Sequence, residues 1–204
     1  MAAFYYKYAT VIILVPLMLS VVNSIGLGNC PRQPFIRDFN MSRFFGHWYE
    51  VERSFHLMEL LSTCTTIDLQ QLNRKQTNVS VTILNRWTGA TNNVEGVATV
   101  SRRASSLFLH RRTSLWPNAV AKWLPGFGYY QVLNTDYDNY AIIWTCTSTL
   151  LGVGYHDLIW IFGRQLDLDA HSRMQVYEIL KTRNIDVDRF TLTNKNCTDD
   201  MATT

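Results

Sequence analysis

Charge is scarce in this chain. Only 17% of its 204 residues are Asp, Glu, Lys or Arg, and 19 basic against 16 acidic residues leave a formal net charge of +3. The basic residues form no block, so a nucleic-acid groove is not expected. Glycine (10) and proline (5) are too few for a fibrous or low-complexity chain. HExxH, GxSxG, a Gly-rich phosphate loop and the EF-hand pattern are all missing from the sequence, which removes the usual signatures of metalloprotease, serine-hydrolase, nucleotide and calcium chemistry. None of the four cysteines forms a CxxC pair, and His and Cys do not cluster as zinc ligands do. No metal and no cofactor is expected. What the chain holds in quantity is apolar: 47% hydrophobic and 13% aromatic residues. That suffices for one packed domain and excludes a disordered chain.

One apolar run stands apart. Lys7 precedes Val11-Ile12-Ile13-Leu14-Val15-Pro16-Leu17-Met18-Leu19, and Val22-Asn23-Ser24 follow. This is the charged, apolar and cleavable order of a secretory signal. The stretch from Thr10 to Val22 is shorter than the roughly 20 residues of a membrane span, and it carries a central proline. Residues 1–24 are therefore read as a signal peptide cleaved after Ser24, with Gly26 as the alternative, and 25–204 as a single secreted, extracellular domain. In an oxidising compartment Cys30, Cys64, Cys146 and Cys197 imply two disulfides, with three pairings open. Asn40-Met41-Ser42 and Asn78-Val79-Ser80 fit the N-glycosylation pattern. Asn196-Cys197-Thr198 fits too, but ranks third because a disulfide at Cys197 would hinder it.

The remainder reads as strands followed by one helix. From Val79 to Trp87, Val79, Val81, Ile83, Asn85 and Trp87 share one parity, and Ser80, Thr82 and Arg86 the other, with Leu84 the exception. That is a half-buried strand. Further strands are expected at Trp48–Arg53, Thr65–Gln71, Asn93–Val100, Tyr129–Leu133, Tyr140–Thr147, Leu158–Leu166 and Phe190–Thr193. Leu107-Phe108-Leu109 and Ala119-Val120-Ala121 compete for one more strand within 101–128. Asp136-Tyr137-Asp138-Asn139 has the composition of a tight turn. A helix is expected at about 170–183, capped by Asp169, with Met174, Tyr177 and Leu180 inward and Gln175, Glu178 and Lys181 outward. Eight or so short strands and one late amphipathic helix point to an all-β, antiparallel up-and-down barrel.

Three motifs then resemble a known family. Gly46-His47-Trp48-Tyr49-Glu50 resembles the GxW signature of the lipocalins. Thr135-Asp136-Tyr137 is similar to their turn between the sixth and seventh strands, and Arg164 to the arginine that ends the eighth. The run from Asn134 to Thr147, the Asn184-Ile185-Asp186-Val187 segment and Cys197 are similar to the apolipoprotein D and insect Lazarillo-like branch. The resemblance covers about residues 30–197 and is weakest at 101–128. It implies an eight-stranded barrel with one C-terminal helix. It also implies the pairings Cys30–Cys146 and Cys64–Cys197, and structural roles for Gly46, Trp48, Thr135, Asp136, Tyr137 and Arg164. In this family the tryptophan packs at the closed end and the arginine lies across it.

Taking Arg164 as inward sets the parity of its strand, so Leu158, Trp160 and Phe162 face the lumen. The apolar parity of the Val79–Trp87 strand puts Ile83, Asn85 and Trp87 inside. By lipocalin resemblance, the register of the Thr135-Asp136-Tyr137 turn does the same for Tyr130, Val132 and Ile143. The expected lumen is aromatic and aliphatic, with no charged candidate except Arg164 at the floor. Alternation alone does not distinguish a hollow barrel from a filled one. Asn85 needs a partner when buried, and a ligand, a water or a backbone group would each serve.

No catalytic constellation emerges. His56, after the first strand, is the one histidine placed to touch a ligand or haem iron, and His171 reads as a surface group. With every cysteine in a disulfide, no thiol remains for chemistry. The expected function is secretion and carriage of a small hydrophobic ligand (a lipid, fatty acid, sterol, retinoid or pigment), with lipid handling and stress protection suggested by the branch. The alternatives are a protease inhibitor or cell-surface recognition protein on the same barrel, or a haem or pigment carrier. A lipid or membrane surface at the mouth and a cell-surface receptor are the other expected partners.

Overall fold

A computed structural model describes residues 25–54, 62–101, 105–111, 128–148 and 152–193. The expected signal peptide, His56, Cys197 and the third glycosylation motif lie outside them. Ten strands follow in order: β1 (Ile25–Leu27), β2 (Gly46–Ser54), β3 (Ser62–Gln71), β4 (Gln76–Asn85), β5 (Thr91–Ser101), β6 (Ser106–Arg111), β7 (Gly128–Thr135), β8 (Tyr140–Ser148), β9 (Gly154–Gly163) and β10 (Phe190–Leu192). Strands β2 to β9 pair with their sequence neighbours, all antiparallel, and β9 returns to pair with β2. This is the eight-stranded barrel, with no free edge between its first and last strands. Leu107-Phe108-Leu109 fills the contested strand position in β6; Ala119-Val120-Ala121 lies outside the described residues. The last barrel strand ends at Gly163, not at Leu166.

One end is closed by tight turns. After β7, Asp136 accepts the backbone N–H groups of Asp138, Asn139 and Tyr140 at 3.2, 2.8 and 2.9 Å. Thr135 Oγ1 donates to the Tyr140 carbonyl at 2.6 Å and accepts the Tyr137 N–H at 2.9 Å. The side-chain acceptors allow Tyr137 its positive φ of 73°. The N-terminal segment starts at the other end, where β1 pairs with the beginning of β9. It is tied there by the Cys30–Cys146 disulfide. It then reaches the closed end, where the short helix α1 (Met41–Phe44), N-capped by Asn40, pushes Phe39, Met41 and Phe44 into the barrel bottom.

The second helix, α2 (Ala170–Thr182), begins on Asp169, whose side chain accepts the His171 and Ser172 N–H groups. It packs on the outside of the barrel. Val176 and Leu180, both fully buried, meet the outward faces of β8 and β9: Ile142, Trp144, Ile159 and Ile161. The expected inward Met174 is instead 62% exposed. The buried positions are Ser172, Val176 and Leu180, a spacing of four rather than three, which better matches the 3.6-residue turn. Tyr177 reaches the barrel through its hydroxyl, which donates to Glu52 Oε2 at 2.8 Å.

Candidate ligand-binding site

Inward residues of the barrel form one apolar cluster, separate from the one under α2. Tyr130 and Val132 (β7), Ile143 (β8), and Trp160 and Phe162 (β9) all belong to it. They are joined by Trp48, Ile67, Leu69, Val79, Val81, Ala98, Leu107, Leu109 and Ala141. Val132, Ala141, Ile143 and Phe162 are buried, while Ile67, Val81, Leu109, Tyr130 and Trp160 on the barrel wall, and Ile36, Phe45 and Tyr137 at the closed end, are only partly buried. Tyr130 and Trp160 face each other with ring centroids 6.0 Å apart. Ile83 and Leu158 keep the inward parity one layer higher, opposite Thr65 and Thr145.

Two expected lumen residues are placed differently. Strand β4 ends at Asn85, and its side-chain oxygen accepts the N–H groups of Trp87 and Thr88 at 2.9 and 3.0 Å. The amide is consumed by an Asx turn. Trp87 lies in that turn beyond the strand, so alternation no longer applies to it, and it is 75% exposed. Leu27, Tyr129 and Val153 are likewise exposed near the end opposite the β7–β8 turn.

The floor follows the motif. Arg164 lies over the Trp48 ring, its guanidinium carbon 3.7 Å from the ring centroid. It donates to the carbonyls of Tyr137, His47, Arg43 and Phe45 at 2.8–3.0 Å. Gly46, at φ 93°, permits the turn into β2. Burial lowers the pKa of Arg164 against the opposing pull of Asp138 and Asp136.

The lumen also holds charge, one group of which strict alternation misses. Trp48 faces inward, so Glu50 does too, opposite Phe162. The register between β2 and β9 shifts at Val51, which turns outward into the cluster under the helix. This bulge brings Arg53 inward, opposite Trp160. Arg53 Nη1 donates to Glu50 Oε1 at 2.9 Å and to Ser62 Oγ at 3.1 Å, and Nη2 donates to the Ser62 carbonyl at 3.0 Å. Thr193 Oγ1 also donates to Glu50 Oε1, at 2.8 Å. Both charged side chains are buried, at 1% and 8% exposure. Burial pushes the Glu50 carboxyl above the usual range, opposed by Arg53, Thr193 and Thr65. Its Oε2 is buried with no hydrogen-bond partner among the described residues. Glu52, of the opposite face, instead pairs with Arg173 of α2.

Elsewhere, Asn40 is exposed and caps α1, and Asn78 sits within β4 with its Oδ1 buried and unpartnered among the described residues. His171 is exposed beside Gln175. Cys64 is disulfide-bonded; its expected partner Cys197 is outside the described residues. Among the described residues no group of three or more His, Cys, Asp or Glu is placed to hold a metal.

Comparison with known proteins agrees with this architecture. Residues 39–195 match the model of the lipocalin-like domain. Apolipoprotein D of Cavia porcellus is 32% identical over 183 residues, covering 84% of this chain and 86% of that protein. The Lazarillo protein of Schistocerca americana is 26% identical over 170 residues, covering 82% and 75%. Among solved structures, insecticyanin from the tobacco hornworm Manduca sexta superposes with a TM-score of 0.72 at 21% identity, over 83% of this chain and 88% of that one.

Proposed function

Because the chain belongs to the lipocalin family, we propose that it binds and carries one small apolar molecule in the upper half of its barrel. One observation carries this reading: inward side chains of the barrel wall, Ile67, Val81, Leu109, Tyr130 and Trp160, are left only half-buried, and Tyr130 and Trp160 meet there. A side chain that is half-covered in the lumen of a barrel is a surface that a ligand covers. Removing that surface and the ligand's own from water supplies roughly 25 cal/mol per Å², and a few polar groups set orientation. Fatty acids, sterols, retinoids, hydrocarbons and pigments all meet the first requirement.

The ligand leaves as it entered, so the protein acts as a carrier and not as an enzyme. Residues 1–24 direct it to the extracellular space, where Asn40, an exposed helix cap, is the better glycan acceptor of the two described. Exchange takes place at the open end, where exposed Leu27, Trp87, Tyr129 and Val153 suit a lipid surface. Native mass spectrometry with solvent extraction of protein from its own source tests the reading. A bound apolar molecule is the expected result; an empty protein that takes up none of a lipid panel contradicts it. Trp160→Ala is expected to fold and to bind apolar ligands roughly tenfold more weakly, about 1.4 kcal/mol, by fluorescence titration.

A further inference from the structure

We propose that the Glu50 carboxyl is the polar anchor of the lumen, and that it selects neutral apolar ligands carrying a hydroxyl over those carrying a carboxylate. This rests on the carrier reading above. Glu50 faces the lumen opposite buried Phe162, one inward position from half-buried Trp160. Its two oxygens are unequal. Oε1 accepts from Arg53 and Thr193, whereas Oε2 is buried and makes no hydrogen bond of that kind among the described residues, although the Thr65 hydroxyl lies close enough to the carboxyl to help hold its pKa down. A carboxylate oxygen withdrawn from water without a donor is costly, and a group that supplies the donor recovers that cost.

The charge balance decides what the donor belongs to. Glu50 and Arg53 neutralise each other, and Arg53 is further engaged by the Ser62 hydroxyl and carbonyl. A neutral hydroxyl completes Oε2 and leaves that balance intact. A ligand carboxylate would bring a second anion against Glu50 in a low-dielectric site, and an ammonium would add an uncompensated cation beside Arg53. The lumen wall is largely apolar, with threonines such as Thr65 and Thr145 its neutral polar members, so the matching molecule is a long-chain alcohol or a sterol, with the hydroxyl leading into the barrel.

The test uses three probes of one chain length: 1-hexadecanol, its methyl ether and palmitate, titrated against the whole protein by tryptophan fluorescence. The ether keeps the acceptor oxygen and exchanges the donor hydrogen for a methyl group. The alcohol is expected to bind on the order of tenfold more tightly than either of the others. In Glu50→Gln the amide oxygen is held by Arg53, so an NH₂ group occupies the Oε2 position. The advantage of alcohol over ether should then fall to about twofold or less. Equal affinity of alcohol and ether for the wild type overturns the proposal and leaves the carrier reading standing. Palmitate binding most tightly also overturns it, by making Arg53 the anchor. Failure of all three to bind removes both readings. The wild-type comparison decides the matter even when the Gln variant does not fold.

Discussion

Arg164 engages four main-chain carbonyls and the face of Trp48, and so joins α1, β2 and the β7–β8 turn through one side chain. Lysine supplies charge but not a planar fork. Arg164→Lys is expected to cost about 2–3 kcal/mol in denaturant unfolding, since several carbonyls lose charged donors; a loss below 0.5 kcal/mol contradicts this. Asp136 shows the opposite electrostatics. Partial burial would raise its pKa, but the N–H groups of Tyr140, Asn139 and Asp138 and the Asn139 amide outweigh that and hold it low. A depressed carboxyl stabilises the fold above the ordinary range near ~4 and loses that contribution as pH falls through its folded-state value. Asp136→Ala should therefore lower stability by about 1 kcal/mol at pH 7, after allowance for exposure. Thermal melts at successively lower pH should show the gap to wild type closing below about pH 4. At this scale the motif residues were legible because each is tied to a local turn or end. Glu50 was also within reach, two residues from inward Trp48. Arg53 was not, because the bulge at Val51 breaks the alternation that any strand reading assumes. Trp87 misled for a related reason: alternation was carried one step beyond Asn85, the residue that ends the strand.

Helix α2 contributes to the scaffold and not to the cavity. Leu180 is fully buried against the outer face of β8 and β9, a sheet's thickness away from the inward-facing cluster. Leu180→Ala is expected to cost about 2–5 kcal/mol while leaving ligand affinity in the folded fraction unchanged. A large affinity loss at full folding would show instead that the helix shapes the lumen. The Asp169 cap and the helix span were readable from sequence. Its buried stripe was not, because Met174, Tyr177 and Leu180 are the more hydrophobic set, whereas Ser172 and the Arg173–Glu52 pair take part in the actual contact. Polar contacts of that kind leave no periodic trace in hydrophobicity. The strands show a similar division. Their existence was visible from alternation, while their ends were set by side-chain caps such as that of Asn85.

For the molecule as a whole, closure depends on contacts between residues far apart in the chain. The Cys30–Cys146 bond spans 116 residues, and constraining so long a loop in the unfolded state is worth up to about 4.7 kcal/mol in the chain-entropy model. Replacing both cysteines by serine should lower the melting temperature without altering the barrel's circular dichroism at low temperature. The barrel class was evident from strand spacing. Whether it is filled or open was not legible there, because the two share the same alternation; the distinction lies in which inward side chains packing leaves half-covered.

That same N-terminal segment gives the molecule a polarity useful for instrumentation. Leu27, 91% exposed, sits at the start of β9 beside the open end, and Asp138, with a side chain 72% exposed, sits on the turn at the other. A fluorophore coupled at position 27 would act as a sensor, reporting the arrival of a ligand or a vesicle at the entrance. The same dye at position 138 would be its built-in reference, blind to both events.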